Sequence, residues 1–197
     1  MAEPVTPPGP TPQRITNLDR MREILARNPA AIALAERLWN FYGCRLICSR
    51  PKEQPRSRIN YGIPKEYAPE HKAQDLVPMV ILANSGRVEE ALVHELLHLE
   101  LVRKGYPRFF SDGDGDGDLW FGITNNADHA VMRPLFTELG YSLDRFTTPS
   151  ELDDDEKRVI AEIDALPNLH TPDGYTASVS AYLKKNGFGF RLVYVRA

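Results

Sequence analysis

Leu92, Val93, Leu96, Leu97, Leu99 and Leu101 surround the stretch between Arg87 and Lys104 with apolar side chains. A helix formed there has little face to offer water and must lie inside the molecule. The same stretch carries His94-Glu95-Leu96-Leu97-His98. Imidazoles and carboxylates in a buried helix need partners. At helical pitch His94 and His98 lie one turn apart on one face, so both rings can address a single point. A packed helix can satisfy such a pair with ordinary hydrogen bonds. The HExxH order favours a different partner, because zinc held by neutral imidazoles with one open position lowers the pKa of its water toward ~7. Glu95, adjacent to the first ligand, is placed to take that water's proton.

The flanks agree with a helix over Arg87 to Lys104. Ser85 is expected as its cap, Glu89 and Glu90 stand in the first turn, and Gly105 followed by Pro107 forms the stop. Upstream, Val77-Pro78-Met79-Val80-Ile81-Leu82-Ala83 is an apolar run of strand length, ended by Asn84-Ser85-Gly86. Between Val77 and Tyr141 the chain resembles the zincin superfamily of metallopeptidases, the pentapeptide being the most specific part of the likeness. The resemblance implies an α+β, zincin-like fold, with the HExxH helix packed on a mixed sheet whose edge strand holds a peptide substrate. It also implies a zinc-dependent, peptide-hydrolysing enzyme. Glu100, two positions beyond the second histidine, departs from the apolar residue usual there.

A catalytic zinc takes three protein ligands. His71, His129 and His170 remain, and His129 is preferred because Asn125 to Arg133 forms a second helical pattern downstream of the first. This is where several zincin families place their third ligand, many of them a glutamate; the compact HExxHxxGxxH spacing of metzincins is absent. Asp128 is the alternative, either as the ligand itself or as a carboxylate orienting an imidazole. Adjacent helical side chains diverge by about 100°, so His129 and Asp128 are not expected on one ion. Arg133 shares the face of His129 and is a candidate for an oxyanion or a surface salt bridge. Tyr141, Tyr175 and His170 are further oxyanion candidates that sequence does not rank.

The remaining sequence sets the frame. With 42% hydrophobic and 26% charged residues in 197, one catalytic domain over residues 15–197 is expected. The net charge of −3 without a basic cluster argues against nucleic acid, and no run reaches membrane-spanning length. A cytoplasmic protein acting on peptide or protein is the expectation, since no apolar leader follows Met1. Residues 1–14, with Pro4, Pro7, Pro8, Pro10 and Pro12, read as a disordered tail.

Helices are expected over 17–26 and from Asn28-Pro29 to Tyr42, the latter packing through Leu34, Ala35, Leu38, Trp39 and Tyr42. Cys44 to Cys48 reads as a strand with free thiols, and Ser49 to Lys72 as a basic loop or hairpin. Asp112-Gly113-Asp114-Gly115-Asp116-Gly117-Asp118 resembles the opening of an EF-hand loop, with Gly117 at the sixth position. Position twelve of that frame is Ile123 instead of a bidentate glutamate, so a flexible loop is favoured over Ca²⁺ binding, and its position between the HExxH helix and His129 suggests gating of the zinc cleft as a further role. Helices over 151–165 and 175–185 and a last strand over 188–195, joining the sheet, complete the expectation.

Overall fold

The computed structural model describes residues 17–42, 47–49, 58–62, 77–82, 87–111, 117–146 and 154–193. The proline-rich tail, Cys44, His71 and Asp112 to Asp116 lie outside them. The elements in chain order are α1 (Asn17–Ile24), α2 (Pro29–Tyr42), β1 (Ile47–Ser49), β2 (Arg58–Gly62), β3 (Val77–Ile81), α3 (Val88–Arg103), β4 (Arg108–Ser111) and α4 (Gly117–Glu138). A 3-10 turn (Leu143–Arg145), α5 (Asp154–Asp164), α6 (Pro172–Lys185) and β5 (Phe190–Val193) follow. The architecture is α+β and mostly helical. Among the described residues no helix is long and apolar enough to cross a membrane.

α3 runs through the core as its composition requires. Leu92, Val93, Leu96, Leu97, Leu99, Leu101 and Val102 are all buried, and α2, α4 and β3 contact it. Its N-cap position is Arg87, without a side-chain cap bond, and Ser85, the expected cap, lies outside the described residues. Backbone N–H groups in the first turn are offset instead by Glu89 and Glu90. At the other end Gly105 has φ +92, a left-handed conformation that favours glycine, and closes a Schellman motif. Gly105 N–H donates to the Val102 carbonyl and Tyr106 N–H to that of Leu101, each at 3.0 Å. Tyr106 is thereby turned back into the core.

Glu100 is buried on α3, where Arg103 donates to both carboxylate oxygens at 2.7 Å and Arg37 of α2 adds an ion pair at 3.4 Å. The departure from the zincin pattern is thus a charge enclosed by guanidinium groups. α2 starts as expected: Asn28 Oδ1 accepts from Ala31 N–H at 3.0 Å, with Pro29 as first residue. The Asn28 amide also donates to the Leu139 carbonyl at 2.7 Å, fastening the start of α2 to the end of α4.

Two sheets form. In the first, ordered β1-β3-β2, β3 is central, parallel to β1 and antiparallel to β2. β1 covers Ile47–Ser49, Cys44 to Leu46 of the expected Cys44–Cys48 strand lying outside the described residues, and β2 lies within the segment read as a loop or hairpin. The last strand does not join this sheet. β5 pairs antiparallel with β4 in a sheet of their own, with Phe109 opposite Leu192 and Arg108 opposite Val193. β4 follows directly from the α3 stop, where sequence gave no strand expectation. α4 begins at Gly117, so the residue at the sixth position of the EF-hand frame is the first residue of a helix instead of a sharp turn.

Candidate metal centre

The first two histidines come from α3 and the third from α4, which contact each other along the core. Ring centroids are separated by 5.1 Å for His94 and His98, 4.8 Å for His94 and His129, and 5.4 Å for His98 and His129. One ring nitrogen from each gives a set in which all lie within 4.8 Å of one another. It is the one such cluster of histidine, cysteine, aspartate or glutamate among the described residues. His98 and His129 are 6% and 9% exposed, and Glu95, next to His94 on α3, is 5% exposed.

Burial sets the protonation of this cluster. It lowers His94 to about 3, with the neighbouring His98 adding to the effect and contact with the Phe146 backbone opposing it. It carries His129 well below the ordinary imidazole range, again reinforced by the other two rings. Both imidazoles are therefore neutral at pH 7, the state in which histidine binds a cation. Glu95 is pushed up to about 7 by burial, which His98 and Arg108 only partly offset.

The side chains fit a metal ion. His94 Nδ1 and His129 Nε2 are buried without a hydrogen-bond partner of ordinary geometry. Leaving such groups unsatisfied costs about 1–3 kcal/mol each, and a cation answers the lone pair where no donor does. His98 Nδ1 lies 3.1 Å from Asp128 Oδ2. An ionised carboxylate only accepts, so Nδ1 carries the hydrogen and Nε2 keeps the lone pair. In a tetrahedral zinc site with bonds of ~2.0–2.1 Å the ligand nitrogens stand about 3.4 Å apart. The ring nitrogens here, all within 4.8 Å of one another, are near enough to address one ion.

Asp128, the alternative third ligand, is engaged elsewhere. Its Oδ2 also accepts from Arg108 Nη1 at 2.7 Å, and its Oδ1 accepts from the Tyr175 hydroxyl at 2.5 Å. Burial alone would raise this carboxyl, but Arg108, His98 and Tyr175 outweigh it and hold the group at about 2. The pair of neighbours on α4 thus diverges as helical geometry requires: His129 turns to the histidine cluster and Asp128 to the outer side of His98.

The other candidates are placed apart from the cluster or occupied. Arg133 donates two hydrogen bonds to Asp164 of α5, at 2.6 and 2.8 Å, the salt-bridge alternative for that residue. The Tyr141 hydroxyl donates to Glu89 at 2.7 Å, that of Tyr175 to Asp128, and His170 is exposed on the turn before α6.

Phe146 was not visible from sequence. Its buried ring lies 4.7 Å from His94, 5.1 Å from His129 and 5.1 Å from Phe136, closing one side of the cluster. Gly140, at φ +87, ends α4 in a second Schellman motif and sends the chain back across α3. Tyr141 then reaches Glu89, and Arg145 reaches Glu90 at 3.3 Å, which delivers Phe146 to the rings. Gly140-Tyr141 was the one local signal for this reversal. Nothing local marks Phe146 itself. Comparison of the chain with protein-family models, with curated proteins and with solved structures returns no match.

Proposed function

We propose that this protein is a zinc-dependent hydrolase of the metallopeptidase type, with zinc held by His94, His98 and His129 and Glu95 as general base. The observation that carries the reading is the convergence of these imidazoles, two with unpartnered buried nitrogens, beside a buried carboxylate. Contact of α3 with β3 of a mixed sheet accords with a zincin-like arrangement. When bound, zinc supplies Lewis acidity and lowers the pKa of its water to ~7. Glu95 accepts the proton of the attacking water and returns it to the leaving amine of a peptide substrate. Its burial raises its proton affinity toward neutrality, which suits a group that must both take and release a proton there.

The enclosure of His98, His129 and Glu95 favours a second reading, in which zinc is structural or the hydrolysis is confined to one dedicated partner. Zinc content and hydrolysis of a broad peptide mixture, with a chelator control, separate the two. Glu95→Gln should keep about one zinc per chain and lose chelator-sensitive hydrolysis. Full activity in that variant would remove Glu95 from the mechanism. Firm zinc without hydrolysis in the wild type would favour the structural reading.

A further inference from the structure

We propose that Asp128 is a positioning residue of the metal centre, and that Arg108 and Tyr175 act on the metal through it. The inference rests on the reading of His94, His98 and His129 as metal ligands. Asp128 is buried and receives three donors, His98 Nδ1, Arg108 Nη1 and the Tyr175 hydroxyl, on its two oxygens. Arg108 lies 20 residues before it on β4, and Tyr175 lies 47 after it on α6. Two separate parts of the chain thus converge on one carboxylate, whose other contact is a ring of the histidine cluster.

The geometry gives that carboxylate a direction. With Oδ1 held by Tyr175 and Oδ2 shared between Arg108 and His98, it has little freedom to rotate. The His98 Nδ1 hydrogen is fixed on it, and the Nε2 lone pair is turned away toward the cluster. A carboxylate on the far nitrogen makes an imidazole a better donor to a cation and sets its ring plane. His98 thus has a carboxylate on its far nitrogen that sets its orientation before any metal arrives.

Tyr175 is itself held firmly. Its ring packs against Tyr106 at 5.2 Å and Phe109 at 6.0 Å, residues that flank Arg108 on the turn after α3 and on β4. The start of α6 is fixed by Thr171, whose hydroxyl accepts from Gly174 N–H at 3.2 Å, and by Pro172 at the first helical position. The second sheet and α6 form the frame, and Asp128 links it to His98.

The test measures zinc affinity of the full chain by competition with a chromogenic chelator, for wild type, Asp128→Asn and Tyr175→Phe. Unfolding of each metal-free protein is followed in parallel. Asp128→Asn should still bind about one zinc, with affinity weakened ~10–100-fold. Tyr175→Phe, which removes only the hydroxyl, should weaken it by a smaller factor, about 3–10-fold. A merely structural role would lower the unfolding temperature of the metal-free protein and leave the affinity alone. Asp128→Asn affinity within about twofold of wild type would overturn the proposal while leaving the metal site standing. Complete loss of zinc from folded Asp128→Asn would make Asp128 a ligand and overturn it as well. Should Asp128→Asn fail to fold, Tyr175→Phe decides, and an unchanged affinity there refutes the positioning role. Absence of zinc from wild type would overturn this inference and the metal-site reading together.

Discussion

Zinc should stabilise this protein by an amount large enough to read in a melting curve, and the increment should depend on each of the three histidines. The metal-free fold holds His94 Nδ1 and His129 Nε2 buried and unpartnered, a burden of about 1–3 kcal/mol apiece that a bound cation relieves. A ligand that binds only the folded state, present at 1,000 times its dissociation constant, adds ~4.1 kcal/mol. For a chain of 197 residues, each kcal/mol moves Tm by roughly 2–4 °C. Addition of zinc to chelator-treated protein should therefore raise Tm by about 8–16 °C. The assay is differential scanning calorimetry of wild type, His98→Ala and His129→Ala, each with chelator and with excess zinc. The quantity compared is the zinc-induced increment, since deleting a buried ring also changes the metal-free baseline. The increment should collapse in both variants. An unchanged wild-type Tm would refute metal binding by the folded state, and a full increment in His129→Ala would remove His129 from the ligand set.

The framework around the site yields two further predictions. A Cβ at Gly174 would stand 2.3 Å from the Asn168 carbonyl oxygen and 2.8 Å from Thr171 Oγ1. Gly174→Ala should thus cost about 1–3 kcal/mol in urea denaturation, and a loss below about 0.3 kcal/mol would show that the turn before α6 yields freely. Tyr182 donates to Glu162 of α5 at 2.9 Å, and burial together with that carboxylate pushes its phenol up to about 12. A phenol held protonated in the folded state but ionising near 10 when unfolded contributes stability below pH 10 that is lost as pH rises toward 12. Tyr182→Phe should flatten this alkaline decline in a pH series of unfolding measurements, and an unaltered slope would assign the decline to other groups.

The parts legible in the sequence are those written in local spacing. The α3 helix, its histidine pair and its glycine stop depend on residues within a turn or two of one another, and the structure forms them. The Asn28-Pro29 start of α2 is of the same kind. His129 was reachable because α4 carries its own helical pattern and an imidazole on it. What stayed hidden depends on contacts across long separations. Arg108 sits in a short strand whose partner, β5, comes from the other end of the described chain, so neither strand is evident from its own neighbours. The displaced final strand has the same origin: alternation shows that Phe190 to Val193 can pair, and only packing decides with which edge. Tyr175 was visible as a polar aromatic near a helix start, but its acceptor, Asp128, lies 47 residues away.

The two halves of the candidate site are consequently governed by different physics. His98 is oriented by charge and hydrogen bonding, through a carboxylate that Arg108 and Tyr175 hold in place. His94 and His129 both pack their rings against Phe146, whose backbone also contacts His94. A hydrogen-bonded carboxylate is directional and changes stepwise when one donor is removed, whereas aromatic packing tolerates small displacements. Any adjustment that a bound cation would ask of the three rings would therefore fall more readily on the packed ones than on His98. Phe146 arrives on a segment joined to the first turn of α3 by Tyr141–Glu89 and Arg145–Glu90. Exposed ion pairs such as the second contribute little, about 0–1 kcal/mol, so the soft side of the centre is also the side on which the fold can yield.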